Sequence, residues 1–333
     1  MKVLFFDYRE SEKKYFENNF FQDFEITFYE NSLNEKTKLS EKEYNNTDII
    51  CVYRSSLLTS DVIKKFKNLR IISTRSLSFN HIDIDYCAKN KISVIHTDQY
   101  GEEAIAEYTL CLIIALERKI KQAMLDIRNN TVNPKIYEGK NLKNLTIGII
   151  GCGKVGIKLA KIAHNIGMKT LVSSYKEEPS FDKVCNVTSF DTLLATSDII
   201  TLHMPFTTDM YQIIGEEELS KMKDGVIIIN TSCVDLIDIH ALYRHIKTGK
   251  VKAAGLDILD SDFMKKTESR KIGNKTMSSK ENKKISSKLI GMPNVIVTPH
   301  LAYNTIDSID YILDITMNSI KDCIKGFNTN RIC

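Results

Sequence analysis

One spacing in this chain carries chemistry without help from anything else: Gly151-Cys152-Gly153-Lys154-Val155-Gly156, after the apolar run Thr146–Ile150 and before a stretch of helical spacing at 154–166. In that setting G-x-G-x-x-G handles phosphates. Gly151 permits the tight turn, Gly153 lets a pyrophosphate approach the backbone, and Gly156 lets helix and strand pack closely, with the helix N-terminus facing the phosphates. The turn therefore predicts dinucleotide binding; the bland alternative is a merely structural turn. A carboxylate about 20 residues on would hold the adenosine ribose hydroxyls of NAD. Here that region reads Ser173-Ser174-Tyr175-Lys176, with no carboxylate before Glu177. A hydroxyl beside an ammonium removes the repulsion that excludes a 2′-phosphate, so NAD and NADP both stay open.

The remaining reactive side chains narrow the field. Eight cysteines, at 51, 87, 111, 152, 185, 233, 323 and 333, show neither C-x-x-C spacing nor paired zinc-ligand spacing, so no metal site is expected. The 46 basic and 42 acidic residues leave a net charge of +4, too small to argue for nucleic acid. That charge is uneven: nine basic and three acidic residues fall within 262–290, leaving 37 against 39 elsewhere. Rich in Ser and Asn and weakly apolar, 262–290 reads as a solvated loop. Residues 1–6 lack the layout of a signal peptide, and the longest unbroken apolar run, 110–116, is too short to span a bilayer. The expectation is a soluble, cytoplasmic protein that engages no membrane.

Positioning these groups requires an alternating scaffold. Residues 3–7, 26–29, 48–53, 70–74 and 93–96 read as strands with helical spacing between them, for example at 60–66 and 83–89. A second series follows at 146–150, 169–173, 198–203, 226–230, 253–257 and 294–298, with helices expected at 154–166, 190–195, 216–222 and 239–248. Strands alternating with helices predict α/β architecture: two doubly wound, Rossmann- or flavodoxin-like domains with parallel sheets and a cleft between them. The uninterrupted helical stretch at 102–118 could join the two series. A final helix at 306–325 could return to the first, giving a discontinuous domain of 1–100 plus 303–333 and a dinucleotide domain of 101–302.

Further motifs are Ile72-Ser73-Thr74-Arg75-Ser76, Asn80-His81-Ile82-Asp83, Ala104-Ile105-Ala106-Glu107-Tyr108-Thr109, Ser197-Asp198-Ile199-Ile200-Thr201-Leu202-His203-Met204-Pro205, Ile229-Asn230-Thr231, Gly255-Leu256-Asp257 and Met292-Pro293-Asn294-Val295-Ile296-Val297-Thr298-Pro299-His300. On these residues the chain resembles the D-isomer-specific 2-hydroxyacid dehydrogenase family, and within it the D-lactate dehydrogenases of vancomycin-resistance operons. The resemblance covers nearly the whole chain. What it implies is reversible hydride transfer between a nicotinamide and C2 of a small 2-keto or 2-hydroxy acid, in a homodimer. His300 falls where the family's acid/base histidine lies, and an imidazole suits proton transfer near neutral pH. Asp262 falls on the partner carboxylate, as a residue one methylene shorter than the usual Glu. The resemblance also places Arg75, Ser76, Leu77 and Ser78 at the substrate, with Tyr100 covering it; ordinary packing is the alternative for Tyr100. Beside the cofactor it places the glycine turn, Ser173, Ser174, His203, Met204, Pro205, Thr231, Ser232, Cys233, Asp257 and His300.

Two departures stand out. Cys233 occupies the position of the substrate-binding arginine, in Asn230-Thr231-Ser232-Cys233-Val234, and the 29 residues from Cys233 to Asp262 keep the family spacing. A thiol cannot reproduce a planar, permanently charged bidentate donor. Arg75, Arg54, Lys265 or Lys266 could substitute, although a loop-stabilising role suits Arg75 and surface charge suits the others. Ser78 stands where relatives carry glycine, which would displace the loop amides if a positive φ were required. One expectation is then a dehydrogenase with an altered substrate-binding site. The other is a dinucleotide-binding sensor or partner protein that has lost catalysis. A redox or nucleophilic role for Cys233 lacks a flanking Arg, Lys or His to lower its pKa.

Overall fold

The computed structural model describes residues 1–12, 14–16, 24–97, 100–174, 185–257, 271–272, 275–276 and 279–333. These form two compact units, Met1–Tyr100 with Asn304–Cys333, and Gly101–Tyr303.

The first unit is built on five parallel strands, β1 (Lys2–Phe5), β2 (Glu25–Phe28), β3 (Ile49–Val52), β4 (Ile71–Thr74) and β5 (Ser93–His96), in the order β2-β1-β3-β4-β5. Central β3 and β4 are buried along their whole length, as strands covered on both faces must be. The two-residue period sends Leu4, Ile50, Ile72 and Val94 to one face and Val3, Phe5, Ile49, Ile71 and Ile95 to the other. The second face is covered by Leu313, Met317 and Ile320 of the helix Ile306–Ile324. The strand order reverses between β1 and β3. There Asp7 accepts from Tyr53 N and from the hydroxyls of Ser32, Ser55 and Ser56, at 2.6–3.0 Å.

The second unit holds seven parallel strands: β6 (Thr146–Ile150), β7 (Lys169–Ser173), β8 (Asn186–Val187), β9 (Ile199–Leu202), β10 (Val226–Asn230), β11 (Val251–Leu256) and β14 (Val295–Val297). Their order is β14-β11-β10-β9-β6-β7-β8. Between β11 and β14 lies a short antiparallel pair, β12 (Lys271–Ile272) and β13 (Lys275–Thr276). The helices Glu102–Glu117 and Lys154–Asn165 cover one face, through Leu112, Ile113 and Leu116 and through Leu159, Ala160 and Ala163. Phe190–Thr196 and Ile239–Thr248 cover the other, through Leu193, Leu194 and Leu242. The order reverses between β6 and β9, so the carboxyl ends of those two strands bound the crevice where open α/β sheets take ligands.

The fold is the one the strand–helix alternation predicts, with most elements a residue or two shorter. The reading of 262–290 as loop is corrected at 279–290, where Ser279–Ile290 is a helix; residues 262–270 lie outside the described residues. Leu289 and Ser286 are fully buried, and His240 Nε2 lies 2.9 Å from Asn282 Oδ1 on the neighbouring helix Ile239–Thr248. The lysines had hidden an apolar stripe of Ile285, Leu289 and Ile290 at helical spacing. Two short elements, β8 and the helix Ile120–Arg128, were also not anticipated.

Candidate active site

The glycine turn sits at the reversal point of the second sheet. Gly151 has φ +105°, and a Cβ there would lie 2.3 Å from His203 O, so the turn after β6 and the turn after β9 touch backbone to backbone. A Cβ on Gly156 would meet Gly151 O at 2.2 Å. Both glycines are thus demanded by the protein's own packing. Gly153 is different: its backbone is extended, with φ −71° and ψ −179°, and a Cβ would find nothing within 4 Å. Glycine there keeps a space open at the N-cap of Lys154–Asn165, whose first amides lack a side-chain cap. An uncapped helix N-terminus behind an unfilled cradle fits the pyrophosphate of a dinucleotide. Gly151 N donates to Ser173 O (2.9 Å), which brings the end of β7, with Ser173 and Ser174, alongside the turn. Lys154 points outward, 3.9 Å from Glu102. Tyr175, Lys176 and Glu177 lie outside the described residues.

Two further turns flank this one. After β9, His203 is buried and its Nε2 shares a hydrogen bond with Thr201 Oγ1; burial pushes its pKa down to about 3, so the ring is neutral. Met204 is buried beside it and Pro205 is exposed. After β10, the buried Asn230 folds the next turn on itself: its Oδ1 accepts from Ser232 N (3.0 Å) and its Nδ2 donates to Cys233 O (2.7 Å). Ser232 Oγ donates to Leu202 O, and Thr231 Oγ1 lies 3.2 Å from Thr109 Oγ1. Cys233 is half-buried, with Sγ 3.9 Å from Asp235 Oδ2. At the position expected for a guanidinium there is a thiol facing a carboxylate.

The tightest arrangement follows β11. Asp257, 1% exposed, receives Thr298 Oγ1 (2.6 Å) and Leu301 N (2.8 Å) on Oδ1, Ala302 N (2.8 Å) on Oδ2, and His300 N (2.6 Å) on its main-chain oxygen. It thereby ties β11 to the turn after β14. His300, at φ 58°, is half-buried there, its ring 5.6 Å from that of Tyr303. The imidazole is thus carried on a backbone that Asp257 fixes. Asp262, like Lys265 and Lys266, lies outside the described residues.

In the first unit, Arg75 is 3% exposed. Its guanidinium pairs with Glu12 (2.8 Å), donates to Phe6 O and Asp7 O, and lies 4.2 Å over the Phe5 ring. Those contacts make Arg75 a loop-stabilising residue here. Ser76 Oγ donates to Ser78 O (2.6 Å) and lies 2.9 Å from Thr74 Oγ1, which bonds His81 Nε2. Leu77 is exposed and Tyr100 half-buried. Ser78 is not among the residues with positive φ, so the serine imposes no glycine-only strain. Arg54 lies 5.4 Å from the ring of Tyr53. Sequence reasoning missed Glu12, Asn230 and Thr298 as organising residues. The last two lie inside the quoted motifs, and only their contacts reveal them.

A parallel sheet with a glycine turn at its reversal point and a histidine-bearing turn at an outer strand defines a dinucleotide-dependent oxidoreductase. Residues 110–302 match the NAD binding domain of D-isomer specific 2-hydroxyacid dehydrogenases. The chain is 33% identical over 261 residues to a hydroxypyruvate reductase of Thermotoga maritima, covering 78% of this chain and 79% of that protein. It is 31% identical over 291 residues to an aromatic 2-oxoacid reductase of Clostridium sporogenes, covering 86% of each. Its fold matches the crystal structure of D-lactate dehydrogenase from Aquifex aeolicus complexed with NAD and lactic acid, with a TM-score of 0.78, 31% identity, and 97% and 96% of the two chains covered. The chain belongs to the D-isomer specific 2-hydroxyacid dehydrogenase family, and is an oxidoreductase acting on CH–OH donors. Among the described residues no helix is long and apolar enough to cross a membrane.

Proposed function

We propose that the protein interconverts a small 2-keto acid and its D-2-hydroxy acid, D-lactate being the simplest case, through an altered substrate-binding site. The observation that carries this reading is the Asp257 network, which holds His300 on a fixed turn in the unit that bears the glycine turn. A bound nicotinamide supplies the hydride. His300 gives its proton to the keto oxygen and Asp262 keeps the imidazole oriented; the family resemblance, rather than any contact, assigns Ser76, Leu77, Ser78 and Tyr100 to the substrate and its carboxylate. Cys233 leaves that carboxylate without a bidentate partner, so turnover is slow and KM high. The hydroxyls of Ser173 and Ser174 are compatible with NADP as well as NAD.

The test is calorimetry with NADH and NADPH, followed by turnover on a panel of 2-keto acids. His300→Ala should abolish turnover while leaving cofactor affinity intact. Cys233→Arg should raise kcat/KM by roughly 10²-fold, the usual worth of a preorganised charged donor. A wild type that binds cofactor without turnover, together with a silent Cys233→Arg, sinks the reading.

A second reading has its own support: Cys233 faces the Asp235 carboxylate, and the Arg75 guanidinium is held by Glu12. Both disfavour a substituted cation and favour a catalytically degraded dinucleotide sensor or partner protein. We further infer a homodimer. Met124 and Ile127, 67% and 66% exposed on the helix Ile120–Arg128, together with Ile120, Val132 and Ile136 leave an apolar surface that a second copy would cover. Sedimentation of wild type should report a dimer, and of Met124→Glu/Ile127→Glu a monomer; a monomeric wild type ends that inference.

A further inference from the structure

The turn that leaves β4 is fastened by a chain of side chains. Ser76 Oγ lies 2.6 Å from Ser78 O, Thr74 Oγ1 lies 2.9 Å from Ser76 Oγ, and His81 Nε2 lies 3.0 Å from Thr74 Oγ1. From the end of β5, His96 Nδ1 reaches Leu77 O (3.3 Å), with its ring edge-on to Phe79 at 5.8 Å. The backbone N–H groups of Ser76, Leu77, Ser78 and Phe79, by contrast, meet no acceptor among the described residues. We propose that His81, Thr74 and His96 are positioning residues for this turn, tying its carbonyls back so that the amides of Ser78 and Phe79 are left for a substrate carboxylate. The inference rests on reading the turn as part of the substrate site.

The acceptor at the end of the chain sets the direction of every bond in it. A carbonyl oxygen only accepts, so Ser76 spends its one hydroxyl proton on Ser78 O. Ser76 Oγ must then accept from Thr74, whose own proton is thereby spent. Thr74 Oγ1 in turn accepts from His81, which carries its proton on Nε2. By the same rule His96 carries a proton on Nδ1, because Leu77 O cannot donate. In a planar trans peptide the C=O of one residue and the N–H of the next point in opposite directions. Holding Leu77 O on His96 and Ser78 O on Ser76 therefore turns the N–H groups of Ser78 and Phe79 away from those side chains. Thr74 and Ser76 are buried, so water does not replace a lost partner inside the chain. Leu77 and Ser78 are exposed, so the turn itself is open to a ligand. Successive amides without acceptors suit an anion. None of the three positioning residues needs to touch substrate to act in this way.

The experiment combines steady-state kinetics on the full chain, with NADH and pyruvate, and ring 15N NMR. Thr74→Val keeps the shape and removes the hydroxyl. It should raise KM about tenfold with kcat and the Kd for NADH within about twofold, the pattern of a contact shared by ground and transition states. Thr74→Ser keeps the hydroxyl and should hold KM near wild type, although loss of the buried methyl lowers Tm. His96→Ala should raise KM in the same way, and His96→Asn, which keeps a donor near the Nδ1 position, should restore it. If Thr74→Val and Thr74→Ser shift KM alike, or if KM simply follows Tm across the four variants, packing holds the turn and the proposal is overturned. In wild type at pH 8 the ring proton of His81 should sit on Nε2 and that of His96 on Nδ1; either proton on the other nitrogen also overturns it. If wild type reduces no 2-keto acid, the proposed activity fails and the ring signals alone decide. The expected pair of tautomers, with the His81 signal displaced in Thr74→Val and kept in Thr74→Ser, upholds the positioning chain, and any other pattern refutes it.

Discussion

At the scale of single residues, the second unit uses two histidines in opposite ways. His300 stands half-buried on the turn after β14, whereas His203 is enclosed between the glycine turn and β9 and kept neutral. Its neutrality has a thermodynamic consequence. Folding moves its pKa from 6.5 to about 3, so between those values the unfolded chain holds a proton that the folded chain refuses. Stability therefore increases with pH across that window and falls as the medium is acidified, with this one site approaching ~1.4 kcal/mol per pH unit at full effect. Urea denaturation from pH 7 to 4 should show a steeper loss for wild type than for His203→Gln, which cannot take up a proton. Equal slopes would mean that His203 is not buried neutral. Cys233 makes the complementary point. The resemblance singles out its position, but its neighbour was not legible in the sequence: the carboxylate of Asp235 lies two residues on in the chain, and the 3-10 turn Val234–Leu236 brings it back towards the thiol.

At the scale of elements, the glycine turn separates two reasons for omitting a side chain. Gly156→Ala adds helix propensity of about 1 kcal/mol, yet its Cβ would sit 2.2 Å from a main-chain oxygen that cannot swing away. The clash prevails, and overpacking of this kind costs typically ~1–3 kcal/mol. Gly153→Ala meets no protein atom within 4 Å and has an ordinary φ, so it should melt like wild type. Its methyl would enter the space left for pyrophosphate and should weaken NADH binding on the order of tenfold. Melting curves and calorimetry on the two variants should give opposite patterns; a Gly153→Ala protein that binds normally would show that the cradle is not the phosphate site. The strands and the glycine turn were legible because periodicity and glycine spacing are local properties. The helix Ser279–Ile290 was not, because its lysines at 280, 283, 284 and 288 dominate any average of hydropathy over the segment. The Asp257 network was hidden for a different reason: its partners lie more than 40 residues away in sequence and meet only because β14 pairs with β11.

At the scale of the molecule, the chain order and the folding units do not coincide. Gly101–Tyr303 is continuous and contains both of its apolar layers, one on each face of the seven-stranded sheet. The first unit is not continuous: the face bearing Val3, Phe5, Ile49 and Ile95 is closed by Leu313, Met317 and Ile320, which arrive some 200 residues after β5. Burying three such side chains contributes roughly 5–9 kcal/mol, comparable with the whole stability of a typical domain, ~5–15 kcal/mol. A fragment of residues 101–303 should therefore fold alone, with a cooperative melt and retained NADH affinity. A fragment of residues 1–100 should stay unfolded or molten until a peptide of 304–333 is supplied, because Tyr15 and Phe16 alone leave much of that face of the five-stranded sheet in water. Circular dichroism and proton NMR of each fragment, with and without the peptide, would decide this. A cooperatively folded 1–100 fragment would show that the helix Ile306–Ile324 decorates that sheet rather than completing it.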